Sequence, residues 1–322
     1  MRQFAKPTIV VSKCLEFDAC RYNGEMIPDV TIRNLQPFVT FIPVCPEVEI
    51  GLGTPRETIR IIEENGMHRL VQPSTREDVT EKMEQFSNDF LQTISDVDGF
   101  ILKNRSPSCG TRDVKIYSGF EKAPAKGKGA GLFGGAVVKN FSHLPIEEEG
   151  RLSNFIIREH FFTRLFTIAY YKMIKHNKNM KDLVSFQSDN KYLFMAYNQV
   201  KQKELGRIIA NHKNEKIEVV FENYEKTLYE LFMRAPRYTS NVNVCEHIFG
   251  YFKTKLKKQE KDHFIELLQK YAEKKIPLSS LLTILKSWAI RFDEKYLLRQ
   301  TYFEPYPEAL VEISDSGKGR DY

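Results

Sequence analysis

The chain has no apolar run of about 18 residues, so no membrane-crossing helix is expected. Its first residues, MRQFAKPTIVVSKC, lack the apolar core and small-residue cleavage site of a secretory signal peptide, which predicts a cytoplasmic protein. Cysteine is scarce and odd in number, five residues spread from Cys14 to Cys245. In a reducing compartment that argues against a disulfide scaffold and for catalytic, metal-binding or incidental thiols. The close C-x₂-C pairs of structural zinc are missing too; the nearest pair, Cys14 and Cys20, has five residues between. No GxxxxGK[ST] occurs, which removes the commonest phosphate cradle.

What is there suits a soluble globular protein: 42% apolar and 28% charged residues, in a chain of 322 that can build two cores. The net charge of +6 is unevenly placed. Residues 1–150 carry 18 Lys and Arg against 21 Asp and Glu, whereas residues 151–322 carry 30 against 21. A basic half joined to a slightly acidic one points to a polyanionic partner, with nucleic acid the first candidate.

The first half reads as α/β with a mostly parallel, Rossmann-like sheet. Strands are predicted at TIVV (8–11), FVTFIPV (38–44), HRLVQP (68–73) and GFILK (99–103). Helices are predicted at PRETIRIIEENG (55–66), from its opening proline and closing glycine, and at VTEKMEQFSNDFLQTISD (79–96). The glycine-rich KAPAKGKGAGLFGGAVV (122–138) reads as a mobile loop. From LPIEEEGRLSN (144–154) onward the pattern is helical, and ISDSGKGRDY at the end looks like a frayed tail. The expected division is an α/β domain at 1–145, an all-α domain at 146–312 and a flexible tail at 313–322.

Three cysteines follow predicted strands of the first half: IVVSKCL (9–15), FVTFIPVCPE (38–47) and ILKNRSPSCG (101–110). In a parallel sheet, ligands bind outside the carboxyl ends of the strands. Cys14, Cys45 and Cys109 should therefore meet on one rim, despite separations of 31 and 64 residues. Three chemistries fit such a meeting: zinc on Cys14, Cys20, Cys45 and Cys109, a thiol nucleophile served by His68 or His143, or an iron–sulfur cluster on three cysteines. Spacing does not choose among them.

The motifs SKCLEFDACRYNG (12–24), PVCPEVEIGLGTPRE (43–57) and LKNRSPSCG (102–110) resemble those of the thiouracil desulfidase family. The resemblance implies a [4Fe-4S] cluster with three protein ligands, Cys14, Cys45 and Cys109, and one open iron. It implies sulfur removal from a thiolated pyrimidine without net redox, with Glu47 as acid/base and Ser106 touching substrate. Cys20, Ser108, Arg21 and Arg56 lie in the same motifs as auxiliary candidates. One departure is Glu16-Phe17, where relatives often have glycine. KYLFMAYNQVKQKELG (191–206), HIFGYFKTKL (247–256), IPLSSLLTILKSWAIRF (276–292) and YLLRQTYFEPYP (296–307) resemble the helical domain often fused to this family. The fused form implies a tRNA partner and conversion of 4-thiouridine to uridine. Desulfidation of free thiouracil, or a zinc-stabilised RNA-binding module without catalysis, are the other readings. For RNA contact, Lys191, Lys201, Lys253, Lys255, Lys257 and Lys258 are the candidates, because a phosphate needs only charge; Tyr192, Phe194, Tyr251 and Phe252 read first as the apolar stripes of helices.

Overall fold

The computed structural model describes residues 2–94, 96–121 and 124–312. The chain divides into two compact units: residues up to Ala169 with those from Ala309 on, and Tyr170–Glu308. The expected tail, 313–322, lies outside the described residues.

The first unit opens with β1 (Thr8–Ser12), α1 (Val30–Leu35), β2 (Thr40–Val44) and the single turn α2 (Pro46–Glu49). There follow β3 (Arg60–Glu64), β4 (Met67–Gln72), β5 (Glu77–Asp78), α3 (Thr80–Thr93) and β6 (Gly99–Leu102). It ends with β7 (Val114–Tyr117), β8 (Gly127–Gly129), α4 (Leu132–Phe141), β9 (Ile146–Glu148), α5 (Glu149–Leu152) and the start of the 23-residue α6 (Phe155–Asn177).

β2, β1, β6 and β9 form one sheet in that order, parallel throughout. β1 and β6 are runs of side chains buried on both faces, as parallel strands covered by helices require. From β1 the chain leaves toward β2 on one side, then returns to β6 on the other, so the crevice of reversal opens at the carboxyl end of β1. The α/β character of the first half and the helical character of the second are as the sequence predicts.

Two local expectations are corrected. PRETIRIIEENG is not a helix: Arg60–Glu64 is β3, paired antiparallel with β4. The β-branched residues Thr58, Ile59, Ile61 and Ile62 favour a strand. Asn65 (φ +50°) and Gly66 (φ +76°) make the two-residue turn with both φ positive that joins hairpin strands. These strands belong to a second sheet, β5-β4-β3-β7-β8. The glycine-rich stretch is not loop throughout either; from residue 124 on it contributes β8 and most of α4, while Lys122 and Ala123 lie outside the described residues.

Helix α4 explains its glycines. A Cβ on Gly134 would sit 2.3 Å from the Gly110 carbonyl oxygen and 2.4 Å from that of Cys109; on Gly131 it would sit 2.5 Å from that of Ser108. Without side chains there, Gly131 N–H donates to Gly110 O (2.7 Å), Leu132 N–H to Pro107 O (3.2 Å) and Gly134 N–H to Ser108 O (2.9 Å). The first turn of α4 thus closes over the backbone that carries Cys109. Phe86 and Phe90 of α3, stacked at 5.6 Å, pack against Phe133 of α4 from the other side.

The second unit takes the last turns of α6, then α7 (Met180–Asp189), α8 (Lys191–Tyr197), α9 (Gln199–Ala210), α10 (Ile217–Leu231), α11 (Tyr238–Phe249), α12 (Lys258–Ala272), α13 (Leu278–Arg291) and α14 (Lys295–Leu298). α8 and α9 are separated by Asn198, whose extended backbone and side-chain acceptor cap α9 through Val200 N–H and Lys201 N–H. The core is aromatic, with Tyr171, Phe186, Phe194, Phe221, Tyr224, Phe232, Phe252 and Phe264 all buried. Tyr192, Phe194 and Phe252 are core residues, as the helical periodicity predicts; Tyr251, expected with them, is exposed instead.

Gly134→Ala should cost about 1–3 kcal/mol by forcing α4 off the cysteine loop. Gly135→Ala in the same helix, whose Cβ would meet Ala130 Cβ at 3.4 Å, should be neutral to about 1 kcal/mol stabilising. Urea denaturation of the two variants checks this; equal midpoints would contradict it.

Candidate active site

Parallel pairing sets the site. Ser12 lies opposite Val44 across β1–β2, and Val11 opposite Ile101 across β1–β6, so the three strands end at one rim. Cys14 follows β1 by two residues, Cys45 follows β2 directly, and Cys109 sits in the turn after β6. All three line one cavity of about 420 Å³, with Cys20, Arg21, Glu47, Arg56, Lys103, Ser106 and Ser108 also on its walls. The rim predicted from sequence is there, and it gathers the predicted residues of the first half. His68 does not join it: it lies on β4 and does not line the cavity.

Cys20, Cys45 and Cys109 are buried and Cys14 is half-buried; no cysteine is in a disulfide. The thiols meet one another. A hydrogen bond with Cys14 leads the causes that push Cys20 up to about 11. The hydrogen bond with Cys20 leads those that raise Cys45, with burial next. Burial pushes Cys109 up to about 12 against the help of Ser12 and Ser108 hydroxyls. Left to themselves Cys20, Cys45 and Cys109 keep their protons at neutral pH; a bound cation is what would ionise them. Among the described residues, no three His, Cys, Asp or Glu side chains close around a point fit for one metal ion. Soft donors set around a cavity this large suit a group of several metal and sulfur atoms. Cys245 is elsewhere, fully buried in the helical unit 3.9 Å from the Tyr302 hydroxyl, and is core.

Glu47 is held from both ends. Arg56 donates to Oε2 from Nε (2.9 Å) and from Nη2, while Ser108 Oγ donates to Oε1 at 2.6 Å. Side-chain exposure is 12% for Glu47 and 4% for Arg56, so the pair is a buried one in which each charge depends on the other. Arg56 also donates from Nη1 to the carbonyls of Cys20 and Gly53, both at 2.9 Å, tying the carboxylate to the Cys20 loop. Ser106 is a turn former: its Oγ accepts from Cys109 N–H (3.1 Å) and Ser108 N–H (3.3 Å), and lies 3.5 Å from Glu47 Oε1. Arg21, over the Tyr22 ring at 5.6 Å and 3.3 Å from Glu25, lines the mouth.

Sequence reasoning missed the acidic run Glu147–Glu148–Glu149 as part of the site. Its three carboxylates fasten the segment that carries Cys109. Glu149 accepts from Asn104 N–H (2.7 Å) and pairs with Lys103. Glu148 accepts from Thr111 N–H (2.6 Å) and Thr111 Oγ1 (2.9 Å), and Glu147 binds Arg112 (3.0 Å) and Arg151 (2.9 Å). The available signal was a triple glutamate directly after a short apolar run, where a solvated face would be the ordinary reading. At Glu16 the backbone is in the left-handed region (φ +71°), where glycine is at ease. Its carboxylate pairs with Arg33 at 2.9 Å and accepts from Asp29 N–H, interactions that glycine could not make.

In the helical unit the six lysines separate into two groups. Lys201 is engaged by Glu204 (2.9 Å) and Glu230 (2.5 Å), and Lys255 pairs with Glu294. Lys191, Lys253, Lys257 and Lys258 are exposed and have no carboxylate partner among the described residues. Lys191 lies over the Tyr192 ring and Lys253 over that of Phe249.

Arg56→Ala should destabilise the chain by about 3–5 kcal/mol, because it strands a buried carboxylate; Arg56→Lys, keeping the charge but losing the fork, should cost less. Chemical denaturation measures both, and an Arg56→Ala variant as stable as the parent would refute the pairing. The thiols carry a pH effect of definite sign. Cys20 and Cys109 keep protons in the folded metal-free chain that the unfolded chain loses from pH 9 upward, so this contribution to stability is complete below pH 9 and is lost toward pH 11–12. The urea midpoint of metal-free protein should fall between pH 8 and pH 10, and fall less in Cys20→Ala; an equal fall would refute it.

Residues 9–149 match the 2-thiouracil desulfurase family, and residues 191–307 match a family described as a protein of unknown function, DUF1722. An uncharacterized protein of Bacillus subtilis strain 168, YbbK, is 38% identical over 119 residues, 34% of this chain and 77% of YbbK. An uncharacterized protein of Escherichia coli K12, YbgA, is 23% identical over 156 residues, 48% of this chain and 92% of YbgA. Among solved structures, the [4Fe-4S]-dependent thiouracil desulfidase TudS is 27% identical and covers 46% of this chain and 93% of its own, with a TM-score of 0.37. Through residues 9–149 the chain belongs to the 2-thiouracil desulfurase family, and it is a desulfidase.

Proposed function

We propose that the chain removes sulfur from 4-thiouridine in tRNA, giving uridine and hydrogen sulfide, with a [4Fe-4S] cluster held by Cys14, Cys45 and Cys109. The observation that carries the reading is the meeting of these thiols at the ends of three adjacent parallel strands, on a cavity that also holds Glu47. The balance is simple: the thiocarbonyl carbon exchanges sulfur for the oxygen of one water, and no electron is gained or lost. Bound there, an iron without a protein ligand supplies Lewis acidity toward a soft sulfur atom.

The chain's own residues do the rest. Arg56 and Ser108 hold the Glu47 carboxylate at the cavity wall, where it takes a proton from the attacking water. Ser106 sets the turn that presents Cys109 and offers its hydroxyl to the pyrimidine edge. Ser12 places its hydroxyl on the Cys109 sulfur, which favours its thiolate form. The basic second half supports tRNA over a free base as substrate, through the phosphates that Lys191, Lys253, Lys257 and Lys258 are free to meet.

Anaerobic reconstitution should give about four iron and four sulfide per chain, lost in Cys14→Ala, Cys45→Ala and Cys109→Ala. Glu47→Gln should keep the iron and slow loss of the thiocarbonyl from 4-thiouridine-containing tRNA by roughly 10²–10⁴-fold. Zinc in place of iron, or full turnover by Glu47→Gln, would overturn the mechanism. Turnover of free thiouracil but not of the tRNA would overturn the substrate.

A further inference from the structure

We propose that Tyr251 and Tyr296, seated on Tyr192 in the helical unit, form a stacking platform for one unpaired nucleotide of RNA. The inference rests on the RNA reading above and deepens it. Three separate segments supply the rings: Tyr192 from the first turn of α8, Tyr251 from the turn Gly250–Phe252, and Tyr296 from α14. Tyr251 and Tyr296 lie with ring centroids 6.3 Å apart and planes within 23°, and Tyr192 meets Tyr296 edge-on at 6.4 Å. Tyr192 is buried beneath them; Tyr251 is 38% exposed and Tyr296 half-buried.

The hydroxyls distinguish this cluster from the unit's interior. Buried tyrosines donate inward: Tyr171 to Phe221 O (2.6 Å), Tyr224 to Gln187 Oε1 (2.6 Å) and Tyr302 to Asn241 Oδ1 (2.9 Å). Tyr192 donates to the Tyr251 hydroxyl at 3.2 Å, and the Tyr251 proton has no acceptor among the described residues. The hydroxyl of the exposed Tyr251 therefore keeps a donor for a group from outside, on a ring already stacked against Tyr296. A nucleobase presents both complements, a π-face and acceptor edges.

The surroundings have the charge for the backbone of the same ligand. Lys191 Nζ lies 5.5 Å from the Tyr192 centroid with no carboxylate partner. Lys295, which opens α14 beside Tyr296, is 83% exposed, and its nearest carboxylate, Asp293, is 3.9 Å away and itself 77% exposed. Lys253 follows Tyr251 by two residues and is likewise unpaired. Rings flanked by exposed cations, two of them unpaired, are the combination that single-stranded RNA binds without sequence preference.

Binding of labelled tRNA, a short mixed-sequence single-stranded RNA and labelled heparin can be followed by fluorescence anisotropy on the full chain. Tyr251→Ala/Tyr296→Ala should weaken both RNAs by roughly 5- to 100-fold. It should leave heparin, a polyanion without bases, unchanged, and Tyr251→Phe/Tyr296→Phe should stay within a few-fold of the parent. Tyr251→Trp should be quenched by the single-stranded RNA and not by heparin, a readout that does not need the alanine variant to fold. RNA affinity unchanged in the alanine variant, equal loss of heparin binding, or an unquenched Tyr251→Trp would each overturn the platform. A parent chain that binds neither RNA would overturn the tRNA reading itself, and the platform with it.

Discussion

The site depends on a hydrogen-bonding constraint: β2, β1 and β6 run parallel and side by side. Parallel pairing sends every strand's carboxyl end to the same edge, so whatever follows those strands is delivered there. The reversal of chain direction at β1 then opens a crevice between the loops. Three cysteines separated by 31 and 64 residues become neighbours with no pairing of their own. Buried thiols are poor at holding structure, and here they do not need to; the ladder of β1 carries them.

A second layer fastens what the ladder delivers. The turn from Asn104 to Arg112 has little apolar content and would wander if only β6 held it. Polar attachments from two directions stop that. Glu147, Glu148 and Glu149 grip its side chains and N–H groups, and the first turn of α4 donates three N–H groups to its carbonyls. Each anchor is buried, so each forgoes solvation unless its partner is in place. The turn around Cys109 is thereby held from outside by groups that do not line the cavity, and from within by the Ser106 hydroxyl. Glu47 follows the same logic, with Arg56 joining it to the Cys20 loop.

Much of this was legible because the periodic parts of the chain carry it. TIVV, FVTFIPV and GFILK are apolar runs of strand length, and a cysteine after each is enough to predict a common rim. The hairpin β3–β4 was misread because Pro55 and Gly66 bracket it like a helix, while the Asn65–Gly66 turn and the β-branched run between carried the truer signal. The glycine-rich stretch was misread for a different reason. Glycine marks flexibility and close backbone approach alike, and only the position of the Cys109 loop shows that Gly131 and Gly134 serve the second. Glu149 and Lys103 were invisible as a pair, since nothing local says that residues 46 positions apart meet.

The size of the cavity bears on what it can admit. About 420 Å³ lies toward the lower end of the roughly 300–1,000 Å³ of small-molecule sites. That is the scale of a site for a single small group and not for a stretch of polymer. The tRNA substrate proposed above would therefore have to bring its base out of the stack to react, at a cost of a few kcal/mol. On the proposed RNA reading, affinity for the polymer draws on surfaces outside the cavity as well. Lysines already committed to carboxylates, such as Lys201 and Lys255, contribute less to that surface than the unpaired Lys191, Lys253, Lys257 and Lys258, because a new phosphate contact would have to displace an existing one.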